Sequence, residues 1–199
     1  MTGGLGIFGG TFDPIHNAHL TLARAALQLC GLEKILFVPA AHPPHRATGP
    51  RVSFEDRFRM VELACTGEPR FQPSRIEEGD HISYSIVTIE KIQAQHPGMR
   101  LYFIIGADAF AEIQTWKRWT EVISSVDFVV AGRPGARYSI PDGARVQPLP
   151  MDVPVSSSEI RQLLGAGAEH LPVPAAVEAY ILAHRLYLSH KQTENPVNR

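Results

Sequence analysis

The chain has 199 residues, 44% of them hydrophobic and 20% charged, with a formal net charge of −1. That length and balance fit one globular domain with a core of its own and exclude a disordered chain. The near-neutral charge excludes a chain-wide field for nucleic acid and leaves room only for a local basic cleft.

In chain order, the first expected strand is LGIF (5–8), followed by GGTFDPIHNAH and a helix over 17–30 with Leu20, Ala23 and Leu27 on one face. KILFV (34–38) is the second strand and leads into PAAHPPHR. Helical patterns cover 53–64 and 84–95. LYFII (101–105) then precedes GADAF, and VDFVV (126–130) precedes AGRPG. Residues 132–144 read as loop and RVQPLP (145–150) as a last strand. VSSSEIRQLL (155–164) reads as a helix capped by serines, with Glu159 in its first turn. An amphipathic helix is expected over 173–187, and the polar tail 189–199 is expected to fray. Cys30 and Cys65 sit in helical patterns and are expected as buried free thiols.

Continuous apolar strands alternating with helices predict an α/β fold: a Rossmann-like doubly wound parallel sheet with helices on both faces, as one domain over 1–188. No apolar run approaches the roughly 20 residues of a membrane helix. The start lacks the charged segment of a signal peptide, so the expected location is cytoplasmic, with neither a membrane nor a nucleic-acid partner. Association into a homo-oligomer stays open.

Ligands of such sheets bind beyond the carboxyl ends of the strands, so the loops that follow the strands are the candidate site. Gly9 and Gly10 are read as a turn that lets another molecule come close. His16 and His19 share a face of the first helical turn, where unpaired N–H groups attract phosphate. Each imidazole can donate a hydrogen bond or carry a proton near neutral pH. This outlines a nucleotide-phosphate site, but neither the P-loop nor the G-x-G-x-x-G fingerprint is present at this turn. Ser156, Ser157 and Ser158, with Arg161 three residues beyond the last, make a second anion candidate. A competing reading is metal: H-x-x-H occurs at His16/His19 and again at His42/His45. Pro43-Pro44 argues against it by forcing the second pair into an extended loop, and no residues are assigned here as protein ligands of a metal.

GGTFDPIHNAH with SSSEIR downstream resembles the nucleotidyltransferase superfamily with the (H/T)-x-G-H signature and the I-S-S-T-x-x-R motif. With VPAAHPPHR, SYS (83–85), FIIGADAF, Trp116, Trp119 and GRPG, the chain is similar in particular to the bacterial nicotinate-nucleotide adenylyltransferases. The resemblance runs from Gly6 to about Tyr187. It implies transfer of AMP from ATP, with Mg²⁺, to nicotinate mononucleotide, giving nicotinic acid adenine dinucleotide and pyrophosphate in NAD biosynthesis.

The resemblance also implies roles. His16, His19 and Arg161 would be catalytic. ATP would be held by Phe8, Gly9, Gly10, Thr11, His16, His19, Gly106, Asp108, Arg133, Ser157, Ser158 and Arg161. Nicotinate mononucleotide would meet Thr11, His45, Arg46, Ser85, Asp108 and Trp116, the last stacking on the pyridine ring or, alternatively, serving as core. The chain departs from the pattern at Ala18, where the signature has glycine, and at Ala40 and Ala41, where relatives often carry a polar residue. Ser85 and Ser158 replace threonine and keep the hydroxyl. Two alternatives remain: the amide mononucleotide as substrate, alone or beside the acid, and a nucleotide-binding regulator with impaired catalysis.

Overall fold

A computed structural model describes residues 3–44, 49–79, 81–152, 154–168 and 170–188. Six strands form one sheet: β1 (Gly4–Gly10), β2 (Leu32–Pro39), β3 (Phe71–Pro73), β4 (Leu101–Gly106), β5 (Asp127–Gly132) and β6 (Arg145–Pro150). Their order is β3-β2-β1-β4-β5-β6, and every pair is parallel. The order reverses between β1 and β4, the switch point where such sheets open a crevice at their carboxyl ends.

Alternation along each strand builds two cores. Phe8, Ile35, Phe37, Ile104, Val129 and Ala131 face α1 (Asn17–Cys30), α2 (Phe54–Cys65), α6 (Ser157–Gly165) and α7 (Ala175–Ala183). Leu5, Ile7, Leu36, Val38, Phe103, Ile105, Phe128 and Val130 face α3 (Ser85–Gln95), α4 (Ala107–Ala111) and α5 (Trp119–Ser125). Strands buried on both faces read as unbroken apolar runs, which is why four of the six stand out in the sequence. At one edge β6 is mostly exposed and carries Pro148 and Pro150, a placement proline tolerates because an edge leaves some N–H groups unpaired.

The structure corrects several expectations. Gly9 and Gly10 are not a turn: they complete β1, paired with Val38 and Pro39. The helix expected over 173–187 spans only Ala175–Ala183, with Pro174 at its N-cap; Arg185 and Tyr187 take left-handed backbone (φ 51° and 65°) and end it. The strand expected over 126–130 starts one residue later, at Asp127. Cys65 is buried, and burial pushes its thiol up to about 12, whereas Cys30 is only partly buried. No helix among the described residues is long and apolar enough to cross a membrane. The expected fraying of 189–199 lies outside the described residues.

Candidate active site

The carboxyl ends of β1 and β4 open into a cavity of about 450 Å³, a size that suits a small ligand. Phe8, Gly9, Gly10 and Thr11 line one wall, Ser83, Tyr84, Ser85 and Thr88 another, and Gly106, Trp116 and Lys117 a third. Glycine has a reason at position 10: a Cβ there would lie 3.1 Å from the Phe12 ring. Phe12 itself takes a left-handed backbone (φ 48°), at a cost of about 1–3 kcal/mol for a non-glycine residue. It is held by burial of its ring edge-on to Phe8 and His19.

Beyond Thr11 the chain crosses a cis Asp13–Pro14 bond and enters α1 with His16 as N-cap. The His16 and His19 rings stack, with centroids 3.6 Å apart. The His16 backbone N–H donates to His19 Nδ1 (3.2 Å), so the remaining proton of neutral His19 sits on Nε2 and makes that atom a donor. In the first turn Asn17 N–H donates to the Pro172 carbonyl, and the His19 and Leu20 N–H groups donate to the His16 carbonyl.

The downstream motif meets this loop from the other end of the chain. Ser156 caps α6 in a reciprocal box with Glu159. Ser157 Oγ donates to the Pro14 carbonyl (2.9 Å). Arg161 donates through Nη1 to the Asp13 carbonyl (2.6 Å) and through Nη2 to Ser158 Oγ (3.0 Å). Two motifs more than 140 residues apart are thus fastened into one corner by side-chain-to-backbone bonds, where Arg161 also pairs with the buried Asp13 carboxylate at 3.9 Å. The Ser157 hydroxyl, expected on a phosphate, has its proton committed to the loop instead.

A family model described as cytidylyltransferase-like matches residues 7–163, from β1 into α6 and across both motifs. The chain belongs to the cytidylyltransferase-like family. It is 54% identical to a probable nicotinate-nucleotide adenylyltransferase of Solibacter usitatus over 92% of this chain and 98% of the relative. It is 40% identical to a protein of the same description from Thermus thermophilus, again over 92% and 98%. Its fold is similar to that of Plasmodium falciparum nicotinic acid mononucleotide adenylyltransferase complexed with NaAD, with a TM-score of 0.76 at 19% identity, over 93% of this chain and 97% of that one.

The other expected residues of this cytidylyltransferase-like chain fall into three groups. Trp116 and Ser85 line the cavity; Trp116 is half-buried, edge-on to Phe103, and so is not plain core. Gly106 also lines it, at the N-cap of α4, while Asp108, two residues on in the first turn, is exposed and outside the lining. Arg133 is exposed and pairs with Asp152 at 3.1 Å, close enough to Glu159 of the α6 cap to help hold its carboxyl below the usual range. His45 and Arg46 lie outside the described residues. His42 is exposed and bridges to Ile82 through its backbone. No cluster of three or more His, Cys, Asp or Glu suited to a metal ion occurs among the described residues.

Three cavity-related residues escaped the sequence reading. Arg57, 1% exposed, reaches from α2 to the Thr11 and Ala40 carbonyls (2.8 and 2.7 Å), tying the ends of β1 and β2 together. A signal existed, since Arg57 falls on the apolar face of α2 with Phe54, Phe58 and Val61. Lys117 places its ammonium 4.1 Å from the Tyr84 ring centre. Glu77 lines the cavity from the loop before α3, and nothing in the sequence marks it.

Near-neutral titration of the histidines needs correction. Burial lowers His16 to about 4 against the pull of Glu159, and burial plus the neighbouring ring puts His19 well below its usual value. Unfolded His16 takes up a proton near pH 6.5 and folded His16 only near 4, so the unfolded state binds more protons between those values. The buried His16 therefore removes on the order of 3 kcal/mol of stability as pH falls through that window. Urea titrations at pH 7 and pH 4.5 are expected to show a smaller loss for His16→Asn than for the wild type; an equal loss would contradict a buried neutral His16.

Proposed function

We propose that this nucleotidyltransferase joins ATP to nicotinate mononucleotide, giving nicotinic acid adenine dinucleotide and pyrophosphate. The observation that carries the reading is the fastening of Ser157 and Arg161 onto the 13–14 loop beside the stacked histidines, with Phe8 touching His19 on one side and lining the cavity of Trp116 and Ser85 on the other. It is supported by 54% identity to a relative described as a probable nicotinate-nucleotide adenylyltransferase.

The mononucleotide phosphate attacks the α-phosphorus of ATP in line; the bond from that phosphorus to the bridging oxygen of the β-phosphate breaks, and pyrophosphate leaves with the electron pair. A phosphate monoester is largely ionised at pH 7, so no protein base is required. Alignment and charge stabilisation then dominate. His19 Nε2–H, His16 and Arg161 face the polyphosphate, joined by the Ser157 and Ser158 amides at the α6 N-terminus. ATP enters as its Mg²⁺ complex, with the cation carried on the phosphates as part of the substrate. An arriving polyanion favours the protonated imidazoles, so binding takes up protons. Gly106 and Asp108 meet a ribose. Arg133 serves the adenosine side after leaving Asp152. His45 and Arg46 serve the mononucleotide phosphate. Residues 1–188 form one catalytic domain.

Following the label tests the reaction: the label of α-labelled ATP is expected in the dinucleotide and that of γ-labelled ATP in pyrophosphate. Label from the γ-position in the nucleotide product would overturn the assignment. Trp116→Ala is expected to raise KM for the mononucleotide about tenfold or more while kcat changes little, the signature of lost uniform binding. An unchanged KM would remove Trp116 from the ring site.

A further inference from the structure

We propose that Lys117 is a specificity-determining residue of the cavity, its ammonium attracting a negatively charged substituent on the pyridine ring and so favouring the acid mononucleotide over the amide; this rests on the pyridine assignment above. Lys117 lines the cavity directly after Trp116, in the turn between Ile113–Thr115 and α5. Its ammonium lies 4.1 Å from the centre of the Tyr84 ring, which lines the same cavity from the N-cap of α3, beside Ser85. An aromatic face holds a cation in place without neutralising it, because the ring offers a quadrupole and no formal charge.

Neighbouring charges leave this cation to a ligand. Lys117 is the only lysine or arginine of the described lining. The next residue, Arg118, is taken by two carboxylates, Glu90 at 2.7 Å and Glu121 at 2.5 Å. Lys117 itself forms no ion pair among the described residues. The only carboxylate of the described lining, Glu77, is 9% exposed and accepts the Thr88 hydroxyl instead. Position then selects among the anionic groups of the substrates. The polyphosphate meets His16, His19 and Arg161, none of which lines this cavity, whereas Lys117 adjoins Trp116 and Ser85 on the ring side. A ring carboxylate brings a full negative charge to that wall and a carboxamide brings none, so the ammonium adds a charge-assisted contact for the acid alone.

The test is the ratio of kcat/KM for nicotinate mononucleotide to that for nicotinamide mononucleotide, measured at saturating ATP and Mg²⁺ in the wild type and in Lys117→Arg, Lys117→Met and Lys117→Glu. The ratio cancels what the two substrates share, the 5′-phosphate included. Lys117→Met is expected to lower it about tenfold, the worth of one charge-assisted contact, through loss with the acid alone. Lys117→Glu should lower it further, and Lys117→Arg, which keeps the charge and the ring contact, should hold it near the wild type. An order set by charge and not by size is one that a packing role would not produce. In the wild type the ratio should also fall as KCl rises from roughly 50 to roughly 500 mM, and in Lys117→Met it should not. The salt dependence of the wild type needs no substitution and decides the matter even where a variant fails to fold. A salt-independent wild-type ratio, an unchanged ratio in Lys117→Met, or equal loss with both mononucleotides in that variant would each overturn the assignment of Lys117 while leaving the reaction intact. No turnover of either mononucleotide by the wild type overturns the pyridine reading and Lys117 with it.

Discussion

Replacing His19 by alanine is expected to lower kcat about 100- to 1000-fold, the range seen when one preorganised donor to developing charge is removed. The geometry gives the reason. His19 Nδ1 is occupied by the His16 backbone N–H, and Phe8, Phe12 and the His16 ring cage the imidazole. The ring can turn little, so Nε2–H is aimed before the substrate arrives and needs no reorganisation during the reaction. His19→Asn keeps a donor on a shorter arm and should recover only part of the rate. Single-turnover kinetics, with far-UV circular dichroism to confirm the fold, make the comparison. Near-wild-type turnover by a folded His19→Ala protein would remove His19 from the transition state.

The second large effect falls on stability. Arg57→Met is expected to cost about 3–5 kcal/mol, because it leaves two partly buried carbonyls, of Thr11 and Ala40, without the charged donor each now has, and such bonds carry about 1.5–3 kcal/mol apiece. Arg57→Lys should recover only a fraction, since one ammonium lacks the planar fork that serves both strand ends. The loss should be read as a lower urea midpoint with unchanged slope. Because Thr11 leads into the histidine loop, kcat should fall in Arg57→Met even at temperatures where the protein is folded. A midpoint equal to wild type would contradict the clamp.

The sequence carried the doubly wound sheet because strands buried on both faces leave runs such as LYFII and VDFVV, which few other contexts produce. It carried the two loop motifs because glycines, histidines and clustered serines mark strand ends and helix starts. β3 escaped because three residues at a sheet edge leave too little pattern, and α4 because five residues make little more than one turn. Arg57 was visible only as a charge on an apolar face, a signal that packing decides. Glu77 was invisible, because its place depends on a partner eleven residues away and on the depth of a cavity. The neutral state of His16 and His19 follows from burial, which spacing does not reveal.

The most direct test of the central claim is pyrophosphate release by the wild-type protein near pH 7 with ATP and Mg²⁺, run in parallel with nicotinate mononucleotide, with nicotinamide mononucleotide and with neither. The account predicts strong release with the acid, weaker release with the amide and none without a mononucleotide. Folded protein that binds ATP but releases pyrophosphate with neither mononucleotide would contradict it and turn attention to Ala18 and a regulatory role.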